Sequence, residues 1–260
     1  MKPYTLLSFD VEEFDMPLEY GQQISNNEQM EIGKKGLDAI IPMCEKYNLE
    51  TTLYTTANFA QTFPDSIKVL ATKHEIASHT FYHSNFKNEH LLQSKLLLDE
   101  IAGTIVKGLR MPRMRKVDMC DVVKAGYVYD SSINPTYLPS RYNNFDLPRT
   151  VFEQEKVIRI PASVSTPLRL PLFWLGFKNY PYWLFLKLCL LSLKRDGYIN
   201  LYFHPWEFTN IDSYKIPNYT KKPNGKILLY KFEKLINDLS VHSNFITTQD
   251  FLVLKKFISK

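Results

Sequence analysis

Three short segments hold the residue types from which a reaction could be built: Ser8-Phe9-Asp10-Val11-Glu12-Glu13, His79-Thr80-Phe81-Tyr82-His83 and Leu201-Tyr202-Phe203-His204-Pro205-Trp206. Together they offer carboxylates, a pair of imidazoles and one further imidazole. That set suffices for one divalent cation, one general base and one general acid. Asp10 and Glu12 are two apart, so at a strand end both leave by the same face. The same acids could instead cap a following helix. His79 and His83 stand at i and i+4, on one side of a helical turn, a spacing met in zinc sites. Two histidines satisfied by loop hydrogen bonds are the alternative. No glutamate lies between them, which disfavours a metallopeptidase. His204 closes an apolar run and is held extended by Pro205, a setting suited to a general acid; a core histidine bonded to backbone is the plainer reading. Arg110, ahead of Met111-Pro112, can hold a carboxylate bidentately.

Such residues act together only if strands and helices carry them to one place. Strands are expected at 4–9, 51–56, 75–78, 109–111, 198–203 and 245–247, from their apolar and β-branched content. Helices are expected at 27–47, 65–73 behind Pro64, 88–107 stopped by Gly108, 117–124, 227–239 and 249–258. After Tyr127 the pattern weakens. Alternating strands and helices favour a parallel sheet covered by helices. The polar candidates all fall where strands end, the face on which a β/α barrel does its chemistry.

At 260 residues the chain fits a single domain, 1–260. A hydrophobic share of 45% against 23% charged is globular rather than disordered. The net charge of +5 is too scattered to argue for nucleic acid, and the one dense basic run is Arg110 to Lys116. Cys44, Cys120 and Cys189 share no ligand-like spacing, so buried reduced thiols are expected. His74, His90 and His242 are expected at the surface. The most apolar stretch, 180–193, is broken by Lys187 and too short to span a bilayer. A packing helix is expected there, with weak contact to a membrane surface as the second reading. Trp183 and Phe185 are expected in the core. With no secretory apolar segment at the start, a cytoplasmic location is expected.

In order and spacing this set resembles the polysaccharide deacetylase family with the NodB-homology domain, and most of all its subgroup with a DVE first motif and an HPWE last motif. The likeness runs from about Leu6 to Phe251 and includes Asp99-Glu100-Ile101, 107–112, 126–132 and Tyr180-Pro181-Tyr182-Trp183. It implies a distorted (β/α) barrel and removal of an N-acetyl group from an amino sugar with a divalent metal, zinc by donor type. It implies Asp10 as general base, Glu12, His79 and His83 on the metal, and Arg110 orienting Asp10. The backbone N–H of Arg113 would face the oxyanion, and His204 would be the acid, tuned by Asp130. Tyr82 and Trp206 are the expected sugar contacts. The family usually has adjacent aspartates, whereas Val11 fills the second slot here, leaving Glu12 and Glu13 as competing ligands. Arg113, Arg115 and Lys116 suggest a basic rim suited to an acidic or phosphorylated glycan. A carbohydrate-binding protein without activity and a metal-dependent hydrolase of another C–N bond are the alternatives.

Overall fold

A computed structural model of the chain describes residues 2–139 and 141–259. Its centre is one strand, Tyr4–Val11 (β1), buried from Thr5 onward. The strands that follow are Thr52–Thr55 (β2), Glu75–Ser78 (β3), Gly108–Leu109 (β4), Tyr129–Asp130 (β5), Tyr137–Leu138 (β6), Tyr142–Asn143 (β7), Phe152–Gln154 (β8), Val157–Arg159 (β9), Tyr198–Phe203 (β10) and Asn244–Ile246 (β11). The main sheet runs β10-β1-β2-β3-β4-β5-β9-β8, with β11 paired to β1. All its pairings are parallel except β8 with β9. Between β10 and the segment after β9, the Ser163 N–H donates to Asn200 O at 2.9 Å, and the curled sheet approaches a barrel there. The fold is mixed α/β with a curled half-barrel sheet, as the sequence pattern implies.

Strand alternation explains the sheet's two sides. Leu7, Phe9 and Val11 belong to the main core with Leu53, Ile76 and Leu109, beneath the helices. Leu6 faces the other way, into a cluster with Tyr54, Ala77, Tyr129, Phe251 and Leu252. Ser8 and Asp10 continue that inward row. The helix Thr248–Leu254 thus fills one end of the curl with Phe251 and Leu252 and leaves the strand ends at the other end for polar side chains.

The longest helix, Asn26–Lys46, is capped by Ser25, whose hydroxyl accepts from the Glu28 N–H. Its Gly36 is a close-approach glycine: a Cβ there would meet Pro205 O at 2.0 Å. The backbone carrying the third motif is therefore pressed directly against this helix.

Several expectations are corrected. The helix expected to run to 107 spans Glu89–Ala102 and ends at Gly103, whose φ of 66° is the left-handed turn that releases the chain; Ile105 lies outside, exposed. A helix not expected from the sequence, Ala57–Thr62 capped by Thr56, precedes the expected one, which spans Pro64–Leu70. The segment 79–83 is loop, not a helical turn, and Thr80 has φ 60°. The region of weak pattern holds the hairpin β6–β7 and the antiparallel pair β8–β9. The apolar stretch forms the helix Tyr182–Asp196 with Phe185 buried, but Trp183 faces solvent. His74 and His90 are buried rather than surface residues; burial, with Lys73 nearby, pushes His74 down to about 4. Cys120 is exposed. No helix among the described residues is long and apolar enough to cross a membrane.

Candidate active site

Asp10, Glu12, His79, His83 and His204 all line one cleft at the open end of the curl. Its other walls include Met16, Arg113, Asn134, Arg141, Trp174 and Tyr202.

Asp10 is 3% exposed, near the end of β1. Arg110, fully buried past β4, donates from Nη1 to Asp10 Oδ1 at 2.6 Å and to Ser8 Oγ at 3.0 Å. The same guanidinium lies 3.8 Å over the Tyr54 ring, a face-on contact that fixes its plane. The Asp10 carboxyl thus sits in a dry place with a buried cation beside it. Burial opposes the Arg110 charge, yet Asp10 and the facing tyrosines raise its pKa overall.

Glu12 follows β1 and projects to the two histidines. Its Oε2 lies 3.0 Å from His79 Nε2 and 3.1 Å from His83 Nε2. The far ring nitrogens are occupied: His79 Nδ1 lies 2.7 Å from Arg110 O, and His83 Nδ1 lies 2.7 Å from Asp15 Oδ1. A proton on each Nδ1 leaves both Nε2 lone pairs aimed at Glu12, the arrangement by which a metal-binding imidazole is oriented. Trp206 Nε1 donates to Glu12 Oε1 at 3.0 Å, so only Oε2 turns to the histidines. Among the described residues, Glu12 Oε2 and His79 Nε2 are buried without a hydrogen-bond partner. Three convergent donors, two of them orphaned, fit a divalent cation, and two imidazoles with one carboxylate suit zinc among others. Glu13 takes no part; it accepts from Thr56 Oγ1 and Asn58 Nδ2.

The loop that carries both histidines is held by the helix absent from the sequence reading: Ala57 and Asn58 donate backbone N–H groups to Thr80 O and Phe81 O, each at 2.9 Å. That anchoring lets residues 79 and 83 converge without helical geometry. Burial would raise the Glu12 carboxyl, but His83, His79 and His204 together hold it well below the usual range. Burial would lower His83, but Glu12 and Asp15 carry it up to about 9.

His204 Nε2 is 3.8 Å from Asp10 Oδ2, and its Nδ1 is 3.0 Å from Glu207 Oε1. The ring stacks on Trp206 at 4.9 Å and meets Trp174 edge-on at 5.2 Å. Burial works against its charge, but Glu207, Glu12 and Asp10 raise its pKa overall.

Some expected residues fall elsewhere. Asp130 does not line the cleft; it accepts from Arg159 Nε at 2.8 Å and from the Ser132 hydroxyl, and the carboxylate on His204 is that of Glu207. Tyr82 lies on a separate adjoining cleft with Glu13, Asn58 and Ser84, its ring edge-on to His90. Trp206 lines the cleft but is 1% exposed, with its indole nitrogen on Glu12 and its ring against His204 and Phe14. Arg113 stands in the cleft wall with φ 55°, but its side chain pairs with Asp15 at 3.1 Å and Glu19 at 2.7 Å. Arg141 also reaches Glu19. Of the expected basic rim, Arg113 is paired with acids, and Arg115 and Lys116 do not line the cleft.

Asp15, Lys178 and Asn134 have no place in the sequence-based set, and Glu207 enters it only as the last residue of the HPWE motif. Glu207 carried a signal, three residues beyond His204 and after a proline. Asp15 and Lys178 carried none.

The family model described as polysaccharide deacetylase matches residues 26–118. No curated protein matches the chain in sequence. Solved structures share its fold. A Mycobacterium smegmatis protein described as a polysaccharide deacetylase superposes with a TM-score of 0.65 at 15% identity, over 98% of this chain and 90% of that one. One from Pseudomonas aeruginosa PAO1, similarly described, gives 0.65 at 14%, over 95% and 88%. Puue allantoinase gives 0.62 at 15%, over 95% and 88%. In sequence over residues 26–118 and in fold over nearly its whole length, the chain is similar to the polysaccharide deacetylases.

Proposed function

We propose that the protein is a metal-dependent carbohydrate N-deacetylase, hydrolysing the N-acetyl group of an amino sugar in a polysaccharide, oligosaccharide or glycan precursor. The observation that carries this reading is the meeting, in one cleft, of the Glu12, His79 and His83 donors with the facing pair Asp10 and His204. A divalent ion held by those three donors supplies Lewis-acid polarisation of the scissile carbonyl.

The chain's own groups do the rest. Asp10, held and oriented by Arg110, takes a proton from the attacking water. The backbone N–H of Arg113, in its left-handed turn, faces the oxygen on which negative charge grows. His204 gives its proton to the nitrogen as the C–N bond breaks, so that acetate and a free amine leave. Trp206 keeps Glu12 turned to the histidines, and Asn134, Arg141 and Trp174 wall the sugar's side of the cleft.

The test is a metal-replete assay for acetate released from N-acetylhexosamine oligomers, with Asp10→Asn and His79→Ala as controls. Acetate release that falls by about 10²-fold or more in Asp10→Asn supports the roles assigned. Full activity in that variant refutes them. Metal and sugar binding without a product would make this a binding protein, and a different small product would make it a hydrolase of another C–N bond.

A further inference from the structure

His204 is steered by a carboxylate of its own HPWE motif, Glu207, and not by Asp130. Glu207 lies in the turn Pro205–Phe208, with one oxygen on His204 and the other beside Lys178. Oε1 accepts from the His204 backbone N–H at 2.9 Å and lies 3.0 Å from His204 Nδ1. Oε2 lies 3.1 Å from Lys178 Nζ, and both of these side chains are 0% exposed. Lys178 also donates to Thr220 O at 2.7 Å. It belongs to the helix Trp174–Asn179, and Trp174, one turn earlier, touches the His204 ring. One short helix therefore braces the imidazole twice, by ring contact and through the charge that anchors Glu207.

We infer that Glu207, anchored by Lys178, is the positioning residue of His204, in the place the family pattern gives to Asp130. This rests on the reading of His204 as the acid. A carboxylate on Nδ1 keeps the proton there, so that Nε2 is the nitrogen presented to Asp10 and the cleft. A carboxylate this deeply buried stays ionised only with a partner, which Lys178 supplies. Asp130 cannot serve, being bound to Arg159 and Ser132. The charged groups facing His204 are Glu207 from its own turn and Asp10 and Glu12 from the end of β1; Tyr202, Trp174 and Trp206 complete its surroundings.

The test is isotope-edited NMR of ring-labelled histidine in the wild type, Glu207→Gln and Asp130→Asn, joined to steady-state kinetics. In the wild type, neutral His204 should carry its proton on Nδ1. Glu207→Gln should titrate lower by about one pH unit or more, since an adjacent opposite charge has been removed. Asp130→Asn should titrate as the wild type does. Acetate release by Glu207→Gln should fall about tenfold or more in kcat with KM little changed, the mark of a misdirected acid rather than a damaged cleft. An Nε2-protonated wild-type ring, an unmoved titration in Glu207→Gln, or an equal shift in Asp130→Asn would overturn the inference. Should Glu207→Gln fail to fold, the wild-type tautomer and the Asp130→Asn titration still decide. The NMR readings need no substrate, so a wild type that releases no acetate refutes the deacetylase reading and leaves them standing.

Discussion

Arg110 and Asp10, one hundred residues apart in sequence, form a buried ion pair of 2.6 Å with neither side chain more than 4% exposed. Arg110 also donates to Ser8 and Ser131, so each arm of the guanidinium has a partner. Removing the cation leaves a carboxylate in a dry site. Arg110→Met should therefore cost about 3–5 kcal/mol in denaturant unfolding, the range for breaking a buried pair from one side. Arg110→Lys, which keeps the charge but not the fork, should cost less. A loss in Arg110→Met no larger than that of an exposed pair, about 1 kcal/mol or less, would show that Asp10 finds water or another donor.

Asp15 stands behind His83, with Oδ1 2.7 Å from its Nδ1, while Arg113 and Ser84 hold the other oxygen. Asp15→Asn should thus weaken binding of a divalent ion about 10–100-fold, the usual effect of losing the partner that orients a ligating histidine. Competition with a chelator of known affinity would measure it. An unchanged affinity would mean that His83 is oriented by its loop alone, or that the ion binds elsewhere.

What the sequence showed follows from what local chemistry encodes. The two-residue spacing at the end of β1 points Asp10 and Glu12 to one place, the apolar run of β10 ends at His204, and all three line the cleft. The i, i+4 spacing singled out a histidine pair that does converge, though not through a helical turn. A loop pinned by the N-terminus of the helix Ala57–Thr62 does what a helical turn was expected to do. The helix that ends at Gly103 rather than Gly108 shows the same limit, since two glycines five residues apart are equal stop signals until packing selects one. Partners chosen by tertiary contact were invisible. Lys178, for which the sequence offered no role, is buried against Glu207, whereas Trp183, expected in the core, faces solvent. Hydrophobicity reports that a helix has an inner face, not which residue turns away from it.

Glu207 also gives the fold a dependence on acid. Burial would raise its pKa, but Lys178 and His204 outweigh that and set it below the ordinary 4.5. The unfolded chain therefore binds this proton more readily than the folded one, so its contribution to stability is present above pH 4.5 and is lost as pH falls through the lower folded value. The stability gap between the wild type and Glu207→Gln, measured by urea unfolding, should narrow as pH drops below 4.5. A gap that widens with acid would contradict the direction of the shift.

Gly36 gives a test that links the helix Asn26–Lys46 to the chemistry. Alanine favours a helix by about 1 kcal/mol over glycine, so propensity alone would make Gly36→Ala stabilising. The added methyl would, however, sit 2.0 Å from Pro205 O and 2.7 Å from the Trp206 backbone nitrogen, both parts of a backbone that cannot swing aside as a side chain can. Overpacking of this kind costs about 1–3 kcal/mol and outweighs the gain. The same displaced turn carries Trp206 onto Glu12 and Glu207 onto His204, so metal affinity should fall together with the unfolding midpoint. A Gly36→Ala protein as stable as the wild type, with unchanged metal binding, would show that helix and turn can separate without disturbing the cleft.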